Sequence, residues 1–156
     1  HEFNCPFGKS RSSYNGRIES NLKSFVNRLQ SIEHSFSSLN FDQIDLSKLS
    51  SEDFVYCDPP YLITTGSYND GKRGFTGWGV SEERILLNIL SDLNVRGVKF
   101  ALSNVVEHKG RTNELLKEWI EGNGFIMHVL SMNYNNSNYH TTNKEMKTTE
   151  VLVTNF

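Results

Sequence analysis

Apolar residues recur along the chain with two different periods, and each change of period marks an element. Ile18, Leu22, Phe25, Val26, Leu29 and Ile32 fall at i, i+4, i+7, i+8, i+11 and i+14, the spacing of one helix face. Within His34–Phe41 the residues Phe36, Leu39 and Phe41 alternate loosely and predict a short strand. Phe54–Cys57 (FVYC) is a compact apolar run that Pro59 and Pro60 must stop, because two prolines in succession cannot donate to a ladder. Ile85, Leu86, Ile89, Leu90 and Leu93 return to helical spacing, with Ser81 as the expected cap and Glu82 and Glu83 in the first turn. Val98–Leu102 predicts a buried strand. A helix carrying Leu115, Leu116, Trp119 and Ile120 follows, with Thr112 expected to cap it and Gly122 and Gly124 to end it. Phe125–Leu130 and Glu150–Thr154 predict two further strands. Residues 1–16, 42–52, 62–80 and 131–148 read as connections, two of them long enough to suggest function.

Strands alternating with helices predict an open α/β sheet with helices on both faces. The last two strands have no helix between them and are expected to pair antiparallel. Length allows a single domain with a single core, 156 residues in all. An aromatic content of 12% argues against disorder despite only 37% hydrophobic residues. A net charge of −2 gives no bulk sign of a polyanion partner, so any such contact must come from local clusters. Two cysteines, Cys5 and Cys57, without metal-ligand spacing suggest a reduced, intracellular protein. No apolar run is long enough to span a bilayer, so no membrane partner is expected. No signal peptide opens the chain, which starts on His1; its true start is expected to be missing or processed. His34, His108, His128 and His140 show no metal-ligand spacing, and His128 and Trp119 read as structural.

Asp58-Pro59-Pro60-Tyr61 is the constellation that carries chemistry. It follows an apolar strand, at the sheet edge where open α/β folds bind ligands. A ring amine such as that of adenine is a poor nucleophile, since its lone pair is delocalised. Two acceptors, the Asp58 carboxylate and the Pro59 carbonyl, would draw its hydrogens and free that lone pair. Tyr61 would stack on a base turned out of the duplex. The plain alternative is a turn after a strand. By chance the tetrapeptide appears in only about one chain in a thousand of this length.

The motif and its surroundings resemble the Dam-type (D12 class) adenine-N6 DNA methyltransferases. Phe3–Gly8 (FNCPFG) is similar to their FNVPFG element, with Cys5 for valine. Asp58–Asn69 (DPPYLITTGSYN), Lys99–Asn113 (KFALSNVVEHKGRTN) and Glu150–Asn155 (EVLVTN) resemble three further stretches in family order. The resemblance implies a Rossmann-like methyltransferase sheet and S-adenosylmethionine as cofactor. It implies double-stranded DNA as partner, GATC-type sites as target, and the cytoplasm of a bacterial or phage-infected cell as location. It places Asp58, Tyr68, Asn40 and Phe41 at the cofactor, Asn40 standing where the family often has Asp. The glycine-rich cofactor loop and target-recognition segment that open the family's fold are absent. The resemblance thus reads the chain as the C-terminal part of a catalytic domain lacking its N-terminal strands: residues 1–16 a loop after the recognition segment, 17–156 an α/β half-sheet. A missing half, or a partner subunit, would bring the cofactor loop.

Around the motif, Lys9, Arg11, Lys72, Arg73, Lys109, Arg111, Lys144 and Lys147 are candidates for a phosphate track, with scattered solvated charge as the alternative. Tyr134, Asn136 and their neighbours are candidates for base or backbone contacts, with an ordinary polar loop as the alternative. Trp78 is a candidate stacking or lid residue, and Ser103-Asn104 a candidate for shaping the site. Two other functions stay open: an amine substrate in RNA or protein, and a non-catalytic module that binds DNA or a partner.

Overall fold

The computed structural model describes residues 15–64, 77–130 and 148–156. The chain divides into two compact units, one ending at Leu39 and the other running from Asn40 to Phe156, and each is described by itself.

In the first unit the predicted helix forms as α1 (Gly16–Gln30). Asn15 caps it: its side-chain oxygen accepts from the backbone N–H groups of Arg17 and Ile18, both at 3.1 Å. The strand expected over His34–Phe41 does not form. Residues 33–40 have no regular structure, and a 3-10 turn, Phe41–Gln43, follows with Asn40 at its head. Alternation supplies a face but not a ladder, and no strand among the described residues pairs with this serine-rich stretch.

The second unit is built on β1 (Phe54–Cys57), α2 (Val80–Val95), β2 (Lys99–His108), β3 (Arg111–Thr112), α3 (Glu114–Asn123), β4 (Ile126–Leu130) and β5 (Thr148–Thr154). The sheet order is β1-β2-β5-β4, with β3 folded back on β2. β1 and β2 run parallel, Phe54 opposite Lys99 and Cys57 opposite Leu102. β5 is antiparallel to both neighbours, Ala101 opposite Thr154 on one side and Ile126 opposite Thr154 on the other. The expected antiparallel end pair is therefore present. The last strand also slots between β2 and β4, which no local signal announces.

The β2–β3 hairpin turns on Lys109 and Gly110, both with positive φ (50° and 75°), the twist that suits a two-residue hairpin loop. The caps differ from expectation. α2 starts one residue before Ser81: Gly79 is the cap, and Glu82 Oε2 accepts the Gly79 N–H at 2.8 Å. Ser81 instead donates to Glu82. On α3 the cap is Asn113 rather than Thr112, with its side-chain oxygen accepting from Leu116 N at 3.1 Å. Gly122 lies inside α3, and Gly124, at φ 68°, ends it.

Alternate residues of β2, namely Phe100, Leu102, Asn104 and Val106, face α2 and α3, which share one face of the sheet and touch each other. Phe100 is fully buried, its ring 5.2 Å from Phe125 and 6.0 Å from Trp119. The Trp119 indole donates to Ser91 Oγ at 2.9 Å, tying α3 to α2. Leu86, Leu87, Leu90 and Leu93 fill the space beneath. Each such leucine contributes about 1.5–3 kcal/mol by leaving water.

Candidate active site

β1 ends at Cys57, opposite Leu102, and the prolines carry the chain away, so Asp58 projects beside Ser103 while β2 runs on to His108, past the expected end at Ser103-Asn104. Beside it opens a cavity of about 700 Å³. Asn40 and Phe41 form one wall, Asp58, Pro59 and Pro60 the second, and Trp78 the third. Ile85, Leu86, Ile89, Leu90 and Leu93 of α2 and Val55 of β1 supply an apolar floor. The size is that of a pocket for a cofactor-sized molecule, apolar with a few convergent polar groups. The Phe41 and Trp78 rings meet at 5.2 Å, tilted by 47°. Arg96, at the end of α2, donates from Nη2 to the carbonyls of Leu46, Ser47 and Leu49 at 2.9, 3.2 and 2.6 Å, which fixes the segment that follows Phe41.

Tyr61 stands on the other side of Asp58. Its hydroxyl donates to Asp58 Oδ1 at 3.3 Å and lies 3.3 Å from Ser103 Oγ. The Tyr61 carbonyl accepts from Thr64 Oγ1 at 3.1 Å, closing a turn that holds the tyrosine. Burial raises the Tyr61 pKa; the bond to Ser103 opposes this, while the negative charges of Asp58 and Glu150 add to it. The tyrosine stays neutral and able to donate. Burial also pushes the Cys57 thiol up to about 11, so it too stays neutral in the cavity wall.

Of the residues that the sequence marks, Asn40, Phe41, Asp58, Pro59 and Pro60 are brought to one cavity, and Tyr61 to its edge. Ser103 joins them through Tyr61. Lys109 and Arg111 are exposed in the β2–β3 hairpin. Tyr68, Lys9, Arg11, Lys72, Arg73, Tyr134, Asn136, Lys144 and Lys147 lie outside the described residues.

Sequence reasoning missed Glu83. It reads as a solvated first-turn acid, yet it is fully buried. Its Oε2 accepts from Trp78 Nε1 at 2.7 Å, and its Oε1 accepts from Asn104 Nδ2 at 3.0 Å and Asn113 Nδ2 at 3.1 Å. A signal was present: Glu83, Leu86, Leu87 and Leu90 fall at i, i+3, i+4 and i+7, so the acid lies on the buried face. Ile85, assigned to that face by its apolar character, is instead 40% exposed.

Among the described residues no helix is long and apolar enough to cross a membrane. The sequence profile described as D12 class N6 adenine-specific DNA methyltransferase matches residues 1–148. The chain is 50% identical over 155 residues to the modification methylase StsI of Streptococcus sanguinis. It is 47% identical over 155 residues to the type II methyltransferase M.FokI of Planomicrobium okeanokoites. It is 39% identical over 158 residues to the modification methylase LlaI of Lactococcus lactis subsp. lactis. Each alignment takes in 99% of this chain and 23% of the relative, so the chain spans about a quarter of the length of these curated relatives. With an acid and two prolines ending a parallel strand beside a cofactor-sized cavity, and a family profile matched over nearly its whole length, the chain belongs to the D12 class of N6 adenine-specific DNA methyltransferases.

Proposed function

We propose that the protein transfers a methyl group from S-adenosylmethionine to N6 of adenine in double-stranded DNA, as a modification enzyme in a bacterial or phage-infected cell's cytoplasm. The observation that carries this reading is Asp58 and Pro59 at the rim of the 700 Å³ cavity, with Tyr61 hydrogen-bonded beside them. The residues present fit the donor. The Phe41 and Trp78 rings, packed together, offer an aromatic wall for its adenine, the apolar floor takes its nonpolar edges, and Asn40 and Asp58 meet its polar groups. Once bound, S-adenosylmethionine supplies an electrophilic methyl group on a cationic sulfur.

This chain's residues act on the nucleophile. Tyr61 occupies one oxygen of Asp58, leaving Oδ2 to accept from the target amine. The Pro59 carbonyl takes the amine's other hydrogen. Both acceptors pull the nitrogen toward a tetrahedral form with a directed lone pair, which is stabilisation of the transition state rather than of the bound base. Tyr61 gives a face on which a flipped adenine stacks. Tyr68 would meet the cofactor, and Lys9, Arg11, Lys72, Arg73, Tyr134 and Asn136 the DNA.

The outer edge of β1 has no strand paired to it among the described residues, and open edges are templates for further strands. The reading assigns that edge to a segment carrying a glycine-rich cofactor loop, from the same polypeptide or a partner.

The test uses the intact protein, a duplex library and methyl-labelled donor. Asp58→Ala is expected to lower kcat by about 100-fold or more while duplex binding survives. Unchanged methylation in that variant would overturn the assignment. The labelled duplexes also report the target sequence, GATC-type or another.

A further inference from the structure

We propose that Glu83 is a positioning residue for the methyl-donor pocket: through its carboxylate it sets the angle and depth of the Trp78 indole that forms one wall. The inference rests on the reading that the cavity receives S-adenosylmethionine.

The geometry is a chain of fixed contacts. Asn104 sits in the middle of β2, its side-chain oxygen accepting from Val105 N at 2.7 Å and its amide donating to Glu83 Oε1 at 3.0 Å. Asn113 caps α3 through its oxygen and donates to the same Glu83 oxygen at 3.1 Å. Each amide is thus anchored to backbone at one end and holds the carboxylate at the other. Glu83 passes that rigidity on: Oε2 takes the Trp78 indole N–H at 2.7 Å. Trp78 lies against Phe41, and both rings line the cavity.

A buried carboxylate is a costly way to fill the apolar face of α2, where leucine would pack more cheaply. What leucine lacks is direction. Apolar contact leaves a ring free to slide and rotate, whereas a hydrogen bond at the indole nitrogen fixes both plane and depth. Oε1 and Oε2 divide the work, one held by the asparagines and one holding the tryptophan. Glu83→Gln can keep its oxygen toward the asparagines but turns an N–H toward the indole N–H. It breaks only the outgoing link.

The measurement is steady-state methylation by the intact protein, with KM for S-adenosylmethionine, kcat and thermal midpoint recorded for four variants. Glu83→Gln and Trp78→Phe are each expected to raise KM about five-fold or more with kcat within about two-fold, since the lost contact acts on donor binding. The double variant is expected to be no worse than the more impaired single variant, because both cut the same link. Should Glu83→Gln fail to fold, Trp78→Phe, which keeps an aromatic ring in place, carries the test. Ile89→Trp fills the cavity floor away from the carboxylate and serves as control. If it raises KM while Trp78→Phe does not, the role of Glu83 is overturned and the cavity assignment stands. If none of the variants changes KM, the donor binds elsewhere and both readings fall. A fall of kcat and thermal midpoint together at constant KM would make Glu83 a structural residue only, which also overturns the proposal.

Discussion

Ser103 and Tyr61, 42 positions apart in the chain, meet with their hydroxyl oxygens 3.3 Å apart. The parallel register that sets Cys57 opposite Leu102 brings Asp58 level with Ser103. The loop after the prolines then returns Tyr61 to both. Ser103 is thereby tied to the residue proposed to stack on the target base. Ser103→Ala is expected to lower kcat about three- to ten-fold, the value of one hydrogen bond, with donor KM unchanged. Ser103→Thr, which keeps the hydroxyl, is expected to restore most of it. Equal loss in both variants would show that the hydroxyl does not matter.

Cys57 makes alkaline stability predictable. Burial raises its pKa from the ordinary 9.0 to about 11. Between those values the unfolded chain gives up the proton and the folded one holds it, so ionisation favours unfolding. The stability linked to this thiol is fully present below pH 9.0 and is lost as pH rises through about 11. Thermal midpoints recorded from pH 8 to pH 11, as ordinary buffer settings, are expected to fall less steeply for Cys57→Ala than for the parent protein. Parallel curves would place the loss elsewhere.

Phe100 joins α3 and the link that follows it to the sheet through contacts with Trp119 and Phe125. Phe100→Ala is expected to cost about 3–5 kcal/mol, read from the urea midpoint at constant slope. A cost under about 1 kcal/mol would mean that the three-ring cluster collapses to fill the hole.

Two glycines at the end of α3, two positions apart, should respond with opposite sign. Gly122 lies within α3 with nothing within 4 Å of an added Cβ, and Gly122→Ala is expected to stabilise by about 0.5–1 kcal/mol. Gly124 has equal space but φ of 68°, and Gly124→Ala is expected to destabilise by about 1 kcal/mol. Two shifts of the same sign in chemical denaturation would contradict the left-handed cap.

Much of this protein is written in short-range signals. The helix of Ile18, Leu22 and Phe25, the FVYC strand with its proline stop, and the placement of Asp58 at a strand end all follow from spacing and from proline's missing donor. The same holds for the glycine end of α3. Asn40, Phe41 and Asp58 could be nominated together only through family resemblance, because nothing local ties position 41 to position 58. Ladder partners are chosen across long sequence distances. The alternation of Phe36, Leu39 and Phe41 therefore could not say that no strand among the described residues would pair there, nor the apolar EVLVT run that β5 would enter between β2 and β4. Glu83 marks the same boundary from the side of charge. Its residue type says solvent, its helical position says core, and the conflict is resolved only where Trp78, Asn104 and Asn113 converge on it with three donors. Sequence determined where the chain stops, turns and places its acid. Tertiary structure decided which distant groups satisfy one another, because a buried hydrogen bond has a partner only once the fold has delivered it.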